Sequence, residues 1–102
     1  MRENTVAVYG IGRVGGPVAA AFIRAGYNVI GVDVDEEKIR MINDGVPVFP
    51  YEPEVDKTLS EAIKNGTATF TTDGRDASLN SKFKVITVPV FLIDKIPDFT
   101  AL

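Results

Sequence analysis

The 102-residue chain contains no cysteine and no histidine. The first absence excludes disulfides, a thiolate nucleophile and any Cys-ligated metal. The second removes the commonest general base near neutral pH and the commonest metal ligand. No metal site is expected, and acid–base chemistry would have to rest on Lys, Asp, Glu, Tyr, Ser or Thr. Positive charge is also in short supply. Eleven Lys and Arg stand against 14 Asp and Glu, and the net charge of -3 excludes the basic face that a nucleic-acid groove needs. No apolar run approaches the roughly 20 residues that cross a bilayer. The opening Met1-Arg2-Glu3-Asn4 leads straight into a strand, without the apolar stretch and small-residue cleavage site of a secretion signal. The expected setting is cytoplasmic, and the length suits one domain, residues 1–102, with one core.

What is present is an alternation of short β-branched runs and amphipathic stretches. Thr5 to Tyr9 (TVAVY) reads as a buried strand ending at glycine. Arg13 to Ala25 carries Val14, Val18, Ala21, Phe22 and Ala25 at helical spacing, with Pro17 in its first turn and Gly26 as its stop. Asn28 to Val32 is a second strand. Asp35 suits the N-cap of a helix from Glu36 to about Asn43 with Ile39 and Ile42 inward. Val46 to Pro53 holds three of the six prolines and reads as an extended loop. Val55, Leu59, Ala62 and Ile63 form one stripe on a helix from Glu54 to Asn65, closed by Gly66. Ala68 to Thr72 and Phe83 to Val88 are the third and fourth strands, with a short helix in the polar segment between them. Pro97-Asp98 looks like the start of another helix. Strands alternating with helices imply a parallel sheet with right-handed crossovers. The expected fold is α/β, a Rossmann-like half-fold with a parallel sheet of order 3-2-1-4 and helices on both faces.

Gly10-Ile11-Gly12-Arg13-Val14-Gly15 fits G-x-G-x-x-G. Gly10 permits the tight turn out of the strand, Gly12 lets a pyrophosphate approach the backbone, and Gly15 lets the helix pack on the strand. The N–H groups of Gly12, Arg13 and Val14 lie at the positive end of a helix dipole, which suits a diphosphate. The hexapeptide alone is a weak signal. Here it follows a strand, opens a helix, and is followed about twenty residues on by an acid at the end of the next strand, Asp33. The Asp33 carboxylate can accept from ribose hydroxyls and repels a 2′-phosphate, so NAD is favoured over NADP. Asp33 also competes for helix capping, but Asp35 fills that role and leaves Asp33 free for the ribose. The Arg13 guanidinium is equally suited to a phosphate or to solvent. Lys38 reads as a surface lysine paired with a nearby acid. Asp73, Asp76 and Glu52 are expected as caps or solvated surface, and Tyr9, Tyr27 and Tyr51 as packing residues. No catalytic residue is assigned.

With these residues in place, the sequence resembles the N-terminal domain of the UDP-glucose/GDP-mannose dehydrogenase family over nearly the whole chain. The resemblance is carried by VAVYGIGRVGGPVAAAF, AGYNVIGVDVDEEKI, IN-x-G, YEP, TTD, ITVPV and PDFTAL. It implies NAD binding by the Gly10–Gly15 turn, Asp33 and Lys38, with Val88 and Pro89 lining the nicotinamide-side ribose. It also implies a parent activity in which the C6 hydroxyl of a nucleotide-sugar is oxidised to a carboxylate in two hydride transfers. The family's catalytic cysteine, lysine and asparagine belong to parts of a longer chain that have no counterpart here. Three positions depart from the family pattern. Val90-Phe91 follows Val88-Pro89 where the family has Thr-Pro, Lys82-Phe83-Lys84 replaces an acidic approach to the fourth strand, and Glu54 replaces the glycine after YEP.

Two functions follow as expectations. One is the NAD-binding portion of a nucleotide-sugar dehydrogenase, made as a fragment or encoded separately and partnered by a separate catalytic chain. The other is a stand-alone dinucleotide-sensing module acting as a homodimer through the sheet edge at Phe83 to Val88. No nucleic-acid or membrane partner is expected. A domain that has lost ligand binding is disfavoured by the intact turn and Asp33.

Overall fold

The computed structural model describes residues 2–87. Val88, Pro89, Val90-Phe91 and the helix expected from Pro97 lie outside the described residues. Four strands, β1 (Thr5–Tyr9), β2 (Asn28–Val32), β3 (Ala68–Thr71) and β4 (Phe83–Ile86), pair in parallel in the order β3-β2-β1-β4. The register sets Tyr9 beside Val32 and Ile86, and Val32 beside Thr71. The helices are α1 (Gly15–Arg24), α2 (Glu36–Asn43), α3 (Pro53–Asn65) and α4 (Gly74–Leu79). A short 3-10 turn, Arg2–Asn4, leads into β1. None of these helices is long and apolar enough to cross a membrane.

The strand period of two divides the core. Val6 and Val8 face one way, onto Ala19 and Ala20 of α1, Ile39 and Ile42 of α2, and Val55 and Leu59 of α3. Ala7 and Tyr9 face the other way, with Val32 and Ala77 of α4. The first face holds most of the buried aliphatic side chains, each contributing roughly 1.5–3 kcal/mol when fully buried. The chain changes face after β3, where α4 leads to β4 on the far side of β1, so the strand order reverses at β1.

Helix α1 departs from the expected packing. Gly15, Gly16, Ala19 and Ala20 are its buried residues, while Val14, Ala21 and Ala25 are exposed and Val18 and Phe22 half-buried. Small side chains face the sheet because they let the helix backbone come close, and the bulky residues are turned to the flanks. The Pro-rich segment before α3 is likewise more than an extended connection. The Asp56 carboxylate accepts from the Val48 N–H at 2.7 Å and the Phe49 N–H at 3.2 Å. This seats the Phe49 ring over Gly16, where an added Cβ would lie 2.3 Å from the ring. Tyr27 packs edge-on against Phe22, as a packing residue should, but Tyr51 does not pack: it is 89% exposed. Strand β4 carries exposed Phe83 and Ile86 and, among the described strands, pairs with β1 alone.

Candidate dinucleotide site

The carboxyl ends of β1 and β2 meet at the glycine-rich turn. Gly10 leaves β1 with φ +95°, a conformation that side chains disfavour, and its N–H donates to Val32 O at 2.7 Å. A Cβ at Gly15 would fall 1.6 Å from Gly10 O, so helix and turn touch backbone to backbone. At Gly12 the situation is reversed. A Cβ there would meet nothing within 4 Å, so the space above this residue is open. Gly10 thus makes the tight turn and Gly15 the close backbone contact, as the spacing predicted, while Gly12 leaves open space.

The start of α1 differs from that of the other helices. Its N-cap, Val14, makes no side-chain capping bond, and no acidic residue lies in its first turn. By contrast, Asp35 caps α2 ahead of Glu36 and Glu37, Glu54 and Asp56 occupy the first turn of α3, and Asp73 caps α4. An α-helix leaves its first N–H groups unpaired and partly positive. Three of the helices answer that with carboxylates; α1 presents it to the open space at Gly12. The residues present fit a diphosphate there.

Asp33, at the end of β2, closes one side of this space. It is not free, as the sequence suggested. Its Oδ2 accepts from the Ile11 N–H at 2.9 Å and lies 3.4 Å from Lys38 Nζ, and its Oδ1 accepts from the Asp35 N–H at 3.0 Å. Burial pushes the carboxyl pKa up, but the two amide hydrogen bonds and the Lys38 charge outweigh it and hold the group below its ordinary value. The group is therefore an oriented anion, and Oδ1, which has a single donor, retains acceptor capacity for a hydroxyl. The expected division of labour does hold for Asp35, which caps α2 through the Lys38 N–H at 3.0 Å. Lys38 is joined to the site through Asp33.

The other proposed ligands are placed less centrally. Arg13 is exposed and borders an open groove of about 370 Å³ with Val48, Phe49, Pro50, Tyr51 and Glu52. Thr87 was not singled out from the sequence. Its hydroxyl lies 2.7 Å from Gly10 O and 3.1 Å from Tyr9 O, and its backbone N–H donates to Tyr9 O at 2.9 Å. No local pattern marks it, because the contact depends on the β1–β4 register across 77 residues of chain. Asp73 caps α4, as expected, by accepting from the Asp76 N–H at 3.0 Å.

A parallel 3-2-1-4 sheet with a glycine turn, a bare helix start and an acid at the next strand defines a dinucleotide-binding half-domain of the doubly wound class. The family model of the UDP-glucose/GDP-mannose dehydrogenase family, NAD binding domain, matches residues 4–98, and the chain belongs to that family. UDP-N-acetyl-D-mannosamine dehydrogenase of Pyrococcus horikoshii is 36% identical over 97 residues, covering 95% of this chain and 23% of that protein. GDP-mannose 6-dehydrogenase of Pseudomonas putida is 37% identical over 83 residues, covering 81% of this chain and 19% of that protein. Among solved structures, a ternary complex of GDP-mannose dehydrogenase from Pseudomonas aeruginosa superposes with TM-score 0.75 at 36% identity, over 87% of this chain and 20% of that one. The chain therefore spans about a fifth to a quarter of the length of the relatives it matches. It corresponds to their NAD-binding domain.

Proposed function

We propose that the chain holds the ADP half of NAD for a nucleotide-sugar 6-dehydrogenase of the cytoplasm. The pyrophosphate rests on the Gly10–Gly15 turn, Gly12, Arg13 and Val14 offer their N–H groups, and Asp33 accepts from the adenosine ribose. Ile11 lines the turn, and Lys38 adds a second ribose contact. Val88 and Pro89 flank the nicotinamide-side ribose, a role that rests on the family pattern. The observation that carries the reading is the uncapped start of α1 facing open space at Gly12, beside an oriented carboxylate. Hydride transfer from a sugar substrate to the nicotinamide is assigned to a catalytic partner region that supplies the acid–base groups. Calorimetric titration of the 102-residue chain with ADP-ribose and NADH at millimolar ligand tests it. Saturable heat with both and no nucleotide-sugar oxidation by the chain alone is the expected result. Absence of heat with either ligand overturns the assignment.

A second reading is favoured by one observation, the one-sided pairing of β4 with Phe83 and Ile86 exposed. On that reading two copies join through this edge and the dinucleotide tunes their association. Sedimentation at rising concentration separates the two: a monomer throughout, with or without NADH, removes the second.

A further inference from the structure

The peptide joining Gly10 to Ile11 is gripped at both ends. Its carbonyl oxygen lies 2.7 Å from the Thr87 hydroxyl, and its N–H donates to Asp33 Oδ2 at 2.9 Å. A peptide unit is planar, so whatever turns the carbonyl turns the amide with it. Glycine supplies no side chain to resist that rotation, and Gly10 already occupies a region of backbone space open mainly to glycine. The orientation of this peptide therefore has to be set from outside, and Thr87 and Asp33 are the groups that set it. The Thr87 hydroxyl has one proton for two nearby oxygens, and the shorter distance assigns it to Gly10 O.

Thr87 also explains why two of the glycines are needed. A Cβ at Gly10 would lie 2.8 Å from Thr87 Oγ1 and 2.4 Å from Thr87 O, and a Cβ at Gly15 would lie 2.8 Å from the same hydroxyl. The threonine is wedged where β1, the turn and the first residue of α1 converge. From there one planar unit links it to the carboxylate on the far side of β1.

We propose that Thr87 is a positioning residue of the dinucleotide site. It holds the Gly10 carbonyl, which aims the Ile11 amide, which in turn fixes the Asp33 carboxylate for the ribose. The inference rests on the reading of Asp33 as the ribose ligand. It places control of the adenosine side of the site on a residue at the end of β4, the opposite side of the switch point.

The test uses the 102-residue chain, ADP-ribose as probe, and three substitutions. Thr87→Val keeps the branched shape and loses the donor, whereas Thr87→Ser keeps the donor and loses a methyl group. Loss of one hydrogen bond's worth of positioning predicts about fivefold weaker ADP-ribose binding for T87V. T87S should stay within about twofold of the parent chain. In a D33A background, T87V should cost less than about twofold more, because the group it acts through is gone. Amide exchange read by NMR supplies a ligand-free measure: the Ile11 amide should exchange about fivefold faster in T87V and at the parent rate in T87S. Parent-like binding by T87V, equal weakening by T87S, or full multiplication of the T87V and D33A losses overturns the inference and leaves the dinucleotide site standing. If the parent chain binds no ADP-ribose, the site assignment falls and the positioning role falls with it.

Discussion

Replacing Gly12 and Gly15 in turn by alanine separates folding from binding within a single turn. At Gly15 the new Cβ would lie 1.6 Å from Gly10 O and 2.7 Å from its carbonyl carbon. Both are backbone atoms, and ordinary van der Waals contact begins at 3.4 Å, so helix or turn has to move by about 1.8 Å. That shift breaks the contact with the Thr87 hydroxyl and opens the seam between α1 and the sheet. Overpacking of well-filled sites costs about 1–3 kcal/mol and more where backbone blocks the way, so G15A should destabilise the chain by about 3 kcal/mol. For a domain near 100 residues this lowers the melting temperature by roughly 12–24 °C. At Gly12 the Cβ meets nothing within 4 Å and the backbone requires no positive φ. G12A should therefore fold as the parent does, or gain about 0.4–1 kcal/mol from a less flexible unfolded chain. The same methyl group fills the space through which a diphosphate approaches, and should weaken ADP-ribose binding by about tenfold or more, about 1.4 kcal/mol. Thermal unfolding by circular dichroism and calorimetric titration on the same samples read both quantities. Parent-like affinity in G12A, or parent-like stability in G15A, would refute the assignment of separate tasks to the two glycines.

Asp33 gives a pH signature. Its depressed pKa means that it stabilises the fold above the ordinary carboxylate pKa, and that this contribution is lost as pH falls through its own lower value. The stability difference between the parent chain and D33N should therefore be largest near neutrality and shrink on acidification, as read by urea unfolding at stepped pH. D33A should also relax cofactor choice, raising the affinity for 2′-phospho-ADP-ribose relative to ADP-ribose by about tenfold through removal of like-charge repulsion beside Lys38. Competition calorimetry measures that ratio, and an unchanged ratio removes Asp33 from the ribose. Asp56→Ala should cost about 2 kcal/mol, because the Val48 and Phe49 amides lose their charged acceptor. Limited proteolysis should then cut between Val46 and Glu52 faster than in the parent chain, and an unchanged cleavage rate would show that the Asp56 contacts do not hold the loop.

The sheet was legible because its signals are local. TVAVY and NVIGV are short apolar runs bounded by turn residues, and the glycine turn between them names the βαβ unit. Parallel pairing followed from alternation and handedness, and the order 3-2-1-4 from the doubly wound class. Asp33 was legible from its distance to the turn, and Asp35 and Gly66 from capping chemistry. The face of α1 was not, since a hydrophobicity pattern points the largest apolar residues inward while close backbone approach demands the smallest. The engagement of Asp33 with the Ile11 amide and Lys38 was hidden for another reason: one donor is a backbone amide 22 residues away, which no residue type marks. Thr87 and Asp56 act on backbone amides and carbonyls distant in sequence or across a loop, and no residue type advertises such a partner. Tyr51 shows the converse error, an aromatic ring treated as core that stands in solvent.

The uncapped start of α1 ties the persistence of the protein to its ligand. On the reading proposed above, this helix end without a carboxylate of its own is completed by a bound diphosphate, and the folded state gains free energy that the unfolded state cannot share. At a ligand concentration 100 times the dissociation constant that gain is about 2.7 kcal/mol. The population exposed to proteases falls by the corresponding factor of about 100 when opening and reclosing are fast relative to cleavage. On the proposed reading, the resistance of the chain to proteolysis rises with the dinucleotide concentration around it.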